Sequence, residues 1–102
     1  MTRLGKFKKQ PVEVLDYEFD FSLWLADRAD TIQDVTVTAA PLGSSSATSL
    51  TISNVSHAAG VVRFYVAGGS DGIKYEVTCT ITTAASPPRV KQDELVINVR
   101  EE

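Results

Sequence analysis

Few residues of this chain could act as a nucleophile or a general base. The 102 residues include one histidine, His57, and one cysteine, Cys79. Nucleophilic catalysis needs a base within hydrogen-bond reach of the attacking group. Cys79 alternates with Val77 and Ile81 in a strand pattern, which predicts a buried and unreactive thiol. His57 lies in a small, polar stretch that we predict to be a surface turn, with no reason to meet Cys79. The sequence therefore predicts no enzyme.

The acidic residues are the remaining candidates for a chemical site, as ligands of a metal ion. Zinc needs three or four His or Cys ligands, and this chain has one of each. Calcium takes about six to eight oxygen ligands, but the acids lack EF-hand spacing and nothing in the sequence brings their two groups together. We therefore favour a solvated acidic face over a calcium site and predict no metal and no cofactor. The two groups are Asp16, Glu18 and Asp20, and Asp27, Asp30 and Asp34.

Alternation of apolar and polar residues with a period of two predicts that most of the chain forms β-strands. Residues 13–21 alternate, with Leu15, Tyr17, Phe19 and Phe21 on one face and Val14, Asp16, Glu18 and Asp20 on the other. Five further stretches alternate in the same way, around residues 35–37, 50–52, 62–66, 75–81 and 95–99. Turn residues separate these stretches, and no long helical pattern occurs. We therefore predict an all-β fold, an immunoglobulin-like antiparallel β-sandwich of about seven strands.

Four residues carry more specific predictions within this fold. Ser22 is predicted to cap a short helical turn over residues 22–28, because a serine hydroxyl can accept a hydrogen bond from a free backbone N–H at a helix start. That turn would place Trp24 and Leu25 as a plug over one end of the core, and for Trp24 we favour this role over stacking on a ligand. Tyr75 has the sequence spacing of a tyrosine corner, in which the tyrosine hydroxyl bonds a nearby backbone group.

Charge is distributed unevenly along the chain. Residues 1–10 hold four basic residues and no acid, whereas the remainder holds six basic and 13 acidic residues, so a segment of charge +4 precedes a body of charge −7. We predict a flexible basic N-terminal arm over residues 1–10 and a single domain over residues 11–102. Lys6, Lys8 and Lys9 are candidate contacts to an acidic protein surface. Nucleic acid is not expected as the main partner, because an acidic body repels phosphate.

No apolar stretch of the sequence approaches the ~18 residues of a membrane span.

Several short motifs resemble those of a known family. They are Lys9-Gln-Pro11, Val14-Leu-Asp-Tyr17, Asp20-Phe-Ser-x-Trp24-Leu, Ala67-Gly-Gly-Ser-Asp-Gly72-x-x-Tyr75-x-Val77-Thr78, Thr82-Thr83 and Val99-Arg-Glu101. From Lys9 onward, the chain resembles the phage fibre–tail adaptor family, small immunoglobulin-like tail proteins of tailed bacteriophages and prophages. One turn departs from that pattern, since Ser86-Pro-Pro-Arg89 stands where the family usually has Gly-Arg.

The resemblance implies a structural component of a phage or prophage particle that joins fibre or tail proteins to the tail. Its partners would be other tail or fibre proteins, with a homo-oligomer as a further option. Its location would be the virion tail, after assembly in the host cytoplasm. The single cysteine excludes an internal disulfide and suits that setting. Two alternatives stay open. One is a recognition module that binds a bacterial-surface glycan or receptor through exposed aromatics such as Trp24, Tyr65 and Tyr17, and the other is a regulatory or anti-host protein.

Overall fold

A computed structural model describes residues 3–43 and 49–100, with side chains from Phe7 onward. Seven strands and one short helix follow one another along these residues. In chain order they are β1 (Arg3–Lys9), β2 (Leu15–Asp20), α1 (Ser22–Asp27), β3 (Ile32–Pro41), β4 (Leu50–Ala58), β5 (Val61–Gly68), β6 (Ile73–Thr83) and β7 (Val90–Val99).

The strands form two sheets that face each other across the core. The four-stranded sheet has the order β1-β7-β6-β3, and the three-stranded sheet has the order β2-β5-β4. Neighbouring strands are antiparallel, except that β1 runs parallel to β7. The predicted all-β fold of seven strands in two layers, with one short helix, is confirmed. The immunoglobulin-like strand order stays a prediction.

The core follows from the period-two pattern, because successive side chains of a strand point to opposite faces of the sheet. In β6, the inward residues Tyr75, Val77, Cys79 and Ile81 are fully buried. The inward residues of the facing sheet include Phe19, Val62, Phe64 and Val66, also fully buried. Burial of one such aliphatic or aromatic side chain stabilises the fold by about 1.5–3 kcal/mol. The hydroxyl of Tyr75 accepts a hydrogen bond from the Ser70 N–H at 2.8 Å, which confirms the backbone contact predicted for this tyrosine.

The N-terminal segment differs from the sequence-based expectation. Residues 1–10 were expected to form a flexible arm, yet residues 3–9 form β1 at the edge of the four-stranded sheet. Phe7 pairs with Ile97 and Lys9 with Val99, and the Arg100 N–H donates to the Lys9 carbonyl at 2.9 Å. The strand was not evident from the sequence because a lysine, Lys9, occupies an inward position where the alternation rule expects an apolar residue.

The short helix α1 lies where a helical turn was predicted, but its first turn is organised differently. Phe21 is the residue that precedes the helix, and no side chain caps it. The Ser22 backbone N–H and hydroxyl both donate to Asp20 Oδ1, at 2.8 and 2.6 Å, so Ser22 is a donor here and not the predicted capping acceptor. A carboxylate is a strong acceptor, and Asp20 Oδ1 accepts both hydrogen bonds. Leu25 is buried and Trp24 packs partly buried against the core, as predicted for the plug.

Candidate interaction surfaces

Lys9 is a buried lysine at the end of β1. Its side chain is only 1% exposed, and its Nζ donates to the carbonyl oxygens of Gly68 at 2.7 Å, Gln10 at 2.9 Å and Pro11 at 3.3 Å. Burial lowers the pKa of Lys9 below its ordinary value, an effect that the nearby carboxylate of Glu13 opposes. The ammonium group therefore joins β1 to the end of β5 inside the protein.

The other two lysines of the predicted contact group lie elsewhere. Lys8 is exposed on the outer face of the four-stranded sheet, where it pairs with Asn98, and Asn98 pairs in turn with Lys74 of β6. Lys6 pairs with Val96 two positions earlier in β1, and its side chain lies outside the described part of the structure. The structure thus separates Lys9, which is buried, from Lys8, which is at the surface.

The acids of β2 form the exposed face that the sequence predicts. Asp16, Glu18 and Asp20 point outward from the three-stranded sheet. Arg63 of β5 lies beside them, with Nη2 3.2 Å from Glu18 Oε2 and Nε 3.9 Å from Asp16 Oδ2. The hydrogen bonds from Ser22 hold the pKa of Asp20 below its usual range. One arginine among three carboxylates leaves this face of β2 negatively charged.

One member of the second acidic group, Asp30, has a structural role at one end of the sandwich, whereas Asp27 and Asp34 are exposed. Asp30 Oδ2 accepts from Arg89 Nη1 at 2.7 Å, and Asp30 Oδ1 accepts from the Thr31 N–H at 2.9 Å. Burial acts to raise the pKa of Asp30, but hydrogen bonds from Thr83, Thr31 and Arg89 and the charge of Arg89 outweigh it, so the net direction is downward. Arg89 belongs to the Ser86-Pro-Pro-Arg89 turn, which this ion pair joins to the segment after α1. Across residues 3–43 and 49–100, no three His, Cys, Asp or Glu residues are grouped closely enough to hold a metal ion.

One lateral side of the sandwich carries the free edges of both sheets. The edge strands β3 and β4 pack against each other on one side, which leaves β1 and β2 on the other. There the rings of Phe7 and Tyr17 meet with centroids 5.1 Å apart. Phe7 is 43% exposed, and the buried Tyr17 hydroxyl has no hydrogen-bond partner among the described residues. Burial raises the pKa of Tyr17, with contributions from Glu13 and Asp16.

The two residues considered for nucleophilic catalysis, Cys79 and His57, lie in different sheets and differ in burial. Cys79 is fully buried, as predicted, and burial together with the neighbouring Asp93 raises the pKa of its thiol to about 12. A thiol with that pKa is protonated at neutral pH and is a poor nucleophile. His57 is exposed, but it lies in β4, opposite Val62, and not in the predicted turn. The strand continues to Ala58, because the turn itself needs only Ala59 and Gly60, both with positive φ.

The aromatic residues considered for glycan recognition are not brought together on one surface, and two of them, Trp24 and Tyr17, are partly buried. Trp24 lies on α1, with the guanidinium carbon of Arg28 4.7 Å and Lys91 Nζ 5.8 Å from its ring centroid. Tyr65 is exposed on the outer face of β5, and Tyr17 is directed toward the inner side of β2. A stacking platform for a sugar would need such rings on one surface.

These features define a class of protein: a small two-sheet β protein that has an apolar core and an exposed acidic face on β2. Over residues 9–98 the sequence matches the family described as podophage GP4 fiber-tail adaptor protein gp77, and the chain belongs to that family. The family name identifies a fibre–tail adaptor of the phage tail. No curated protein matches the chain. Among the described residues, none of the helical structure is long and apolar enough to cross a membrane.

Proposed function

We propose that this chain is a non-enzymatic structural component that joins fibre proteins to the phage tail through protein–protein contacts. The observation that carries the proposal is the family match over residues 9–98, which extends from the end of β1 almost to the end of β7. Its partners are other tail or fibre proteins, and its place is the virion tail, reached after assembly in the host cytoplasm.

The geometry supports a role in binding rather than catalysis. The thiol of Cys79 is buried and protonated, and the exposed His57 lies on a different strand in the other sheet. The exposed groups are instead the charged side chains of the outer faces and the free strand edges β1 and β2. Strand edges accept partner strands, and charged faces select their orientation.

Within this proposal, Lys6 and Lys8 are the contact residues for an acidic neighbour, and Lys9 holds their strand in place. Lys8 is exposed on β1, whereas the ammonium of Lys9 is held by three carbonyl groups. Lys8 can therefore be replaced without disturbing the core, while Lys9 cannot. Repeated weak contacts of this kind add by avidity around a symmetric tail.

The test asks whether the tagged full chain captures identified tail and fibre proteins of the phage that encodes it. Deletion of residues 1–10 would remove β1 from its sheet, so the contact is tested by Lys8→Glu instead. Lys74→Glu, an equal charge change on the same face but away from the edge, is the matched control. We expect wild type and Lys74→Glu to capture a tail or fibre protein and Lys8→Glu to capture less. If the chain retains bacterial-surface polysaccharide and no virion protein, the adaptor proposal is overturned in favour of a recognition module.

A further inference from the structure

β2 is an edge strand with backbone groups directed away from its sheet. In the described part of the chain, β2 borders only β5. The N–H of Phe21, which directly follows β2, donates to the Gly60 carbonyl at 2.9 Å, so the backbone of Phe21 faces the β5 side. Successive residues of an antiparallel strand direct their N–H and C=O groups to alternate sides. Asp16 and Glu18 therefore direct theirs toward the free side.

The edge of β2 is also more regular than the other sheet edges that the structure describes. The edge strands are β1 and β3 in one sheet and β2 and β4 in the other. β1, β3 and β4 each show a register shift against the neighbouring strand, whereas β2 pairs with β5 in regular register from Leu15 to Asp20. Bulges protect an edge because they twist it away from an incoming strand. β2 lacks this protection over its six residues.

On the inner side of β2, an aromatic contact is incompletely covered. The rings of Phe7 and Tyr17 have centroids 5.1 Å apart. Phe7 pairs with the buried Ile97, so its side chain is directed inward, yet it is 43% exposed. The buried hydroxyl of Tyr17 has no hydrogen-bond partner within the described ranges. A strand added to β2 would place a side chain beside Tyr17 on this inner face and cover Phe7.

The charge on the outer face of β2 determines which strand this edge can accept. Arg63 lies 3.2 Å from Glu18 and 3.9 Å from Asp16, but both carboxylate side chains are still about half exposed, at 49% and 51%. Opposite charges on neighbouring strands stabilise a sheet, and like charges destabilise it. β2 of a second copy would bring acids beside acids. A strand with basic residues at alternate positions would bring cations beside them instead.

We propose that the free edge of β2 binds a strand of a partner protein that has Lys or Arg at alternate positions and apolar residues between them. The backbone groups of Asp16 and Glu18 hydrogen-bond to this strand. Its basic side chains lie on the outer face beside the two carboxylates, and its apolar side chains extend the core past Tyr17. Main-chain hydrogen bonds supply the affinity and alternate side chains the specificity. In assigning this strand to a fibre or tail protein, the proposal rests on the proposed function.

The experiment uses a synthetic peptide of about eight residues, a typical strand length, in which lysine and valine alternate. One control peptide has glutamate in place of lysine, and the other is the lysine–valine peptide with its backbone nitrogens methylated. Calorimetry with the full chain measures binding, and amide hydrogen exchange locates it. We expect the lysine–valine peptide to bind and to slow exchange of the Asp16 and Glu18 amides. Both controls should bind at least about tenfold more weakly, since one reverses the charge and the other lacks backbone donors.

Two charge-reversed variants of the chain provide the matched comparison. Glu18→Lys is expected to weaken binding of the lysine–valine peptide about threefold to tenfold, because repulsion replaces attraction at the edge. Asp34→Lys, the same change at an exposed position of the edge strand β3, should change binding by less than about twofold. Circular dichroism and thermal melts establish that each variant is folded. If Glu18→Lys is unfolded, hydrogen exchange of the wild type with and without peptide decides the outcome.

Four results would overturn the proposal. They are absence of peptide binding up to about 1 mM, the weak end of the affinity range, binding that leaves exchange of the Asp16 and Glu18 amides unchanged, equal binding of the methylated peptide, and equal effects of Glu18→Lys and Asp34→Lys. A wild-type chain that protects these two amides by self-association would make a second copy the occupant, which would also contradict the proposal.

The capture experiment separates this proposal from the proposed function. If wild type and Glu18→Lys capture a tail or fibre protein equally well, the adaptor function stands, and the assignment of the bound strand to that protein is wrong. If the peptide binds at the edge of β2 and the chain captures no virion protein, the strand-binding edge stands and the adaptor function is overturned.

Discussion

Lys9 is a buried residue that the sequence presents as part of a basic surface segment. Its ammonium group lies among carbonyl groups from β5 and from the turn after β1. Burial of a charge is costly unless hydrogen bonds replace the lost water. Three carbonyl acceptors supply that replacement, and burial still lowers the pKa of Lys9.

We predict that Lys9→Ala lowers the free energy of unfolding by about 2–3 kcal/mol, because it leaves three partly buried carbonyl groups without this donor and removes a buried side chain. Urea unfolding at neutral pH measures the change. Lys8→Ala, one residue away and exposed, is the matched control and should change stability by less than about 0.5 kcal/mol. Equal effects of the two substitutions would show that the hydrogen bonds of Lys9 do not stabilise the fold.

At the level of elements, the hairpin between β4 and β5 supports the start of α1. Ala59 and Gly60 have φ values of 53° and 83°, the combination required at both positions of a type I′ turn. The Gly60 carbonyl accepts from the Phe21 N–H at 2.9 Å, and the position of a Cβ on Gly60 lies 2.9 Å from the Ser22 Cα. The hairpin therefore packs directly against the backbone that begins the helix.

We predict that Gly60→Ala destabilises the protein by at least about 1 kcal/mol more than Gly72→Ala does. Both glycines have φ of 83°, so both substitutions incur the cost of a left-handed backbone, about 1–2 kcal/mol. Only at Gly60 does the added methyl group meet another backbone segment, because a Cβ at Gly72 has no neighbour within 4 Å. Thermal or urea unfolding of the two variants gives the difference, and equal losses would contradict the proposed contact with α1.

The elements that the sequence predicts correctly are those whose own side chains determine them. Period-two alternation located β2 to β7, since each strand places its apolar residues on the core side. The sequence did not predict β1, because the burial of Lys9 depends on the Gly68 carbonyl, which is distant in sequence. The role of Ser22 was mistaken for a similar reason, since the choice between accepting and donating was decided by the position of the Asp20 carboxylate. Both errors concern polar groups whose partners only the folded chain defines.

For the molecule as a whole, ionisation of the acidic side chains affects the stability of the fold in two opposite ways, depending on the residue. Folding lowers the pKa of Asp20 and Asp30, so they stabilise the fold above the ordinary carboxyl pKa, and that stabilisation is lost as the pH falls through their lowered values. Burial raises the pKa of Asp93, although Lys91 opposes the shift. The ionised carboxylate of Asp93 therefore lowers the free energy of unfolding at neutral pH. This penalty decreases as the pH falls from the raised pKa of Asp93 toward the ordinary carboxyl pKa.

We predict that Asp93→Asn raises the free energy of unfolding at neutral pH and that this gain shrinks as the pH is lowered toward the ordinary carboxyl pKa. The amide has no charge to bury, so the variant lacks the penalty of the wild type at neutral pH. Urea unfolding across a pH series measures the effect. Asp34→Asn, the same change at an exposed position, should alter stability by less than about 0.5 kcal/mol at neutral pH. A gain that does not depend on pH would contradict the assignment to Asp93 ionisation.

The parallel pairing of β1 with β7 also determines how the protein carries tension. Because the two strands run in the same direction, the start of β1 and the end of β7 lie at opposite ends of the pair. A pull between these two points slides one strand along the other and loads their backbone hydrogen bonds together, whereas a pull on adjacent ends would break them one at a time. Under the proposed adaptor function, such a pull would arise if the fibre and the tail were bound at these two points. The strand pair is thus oriented for mechanical shear, the direction in which a β-ladder resists rupture most strongly.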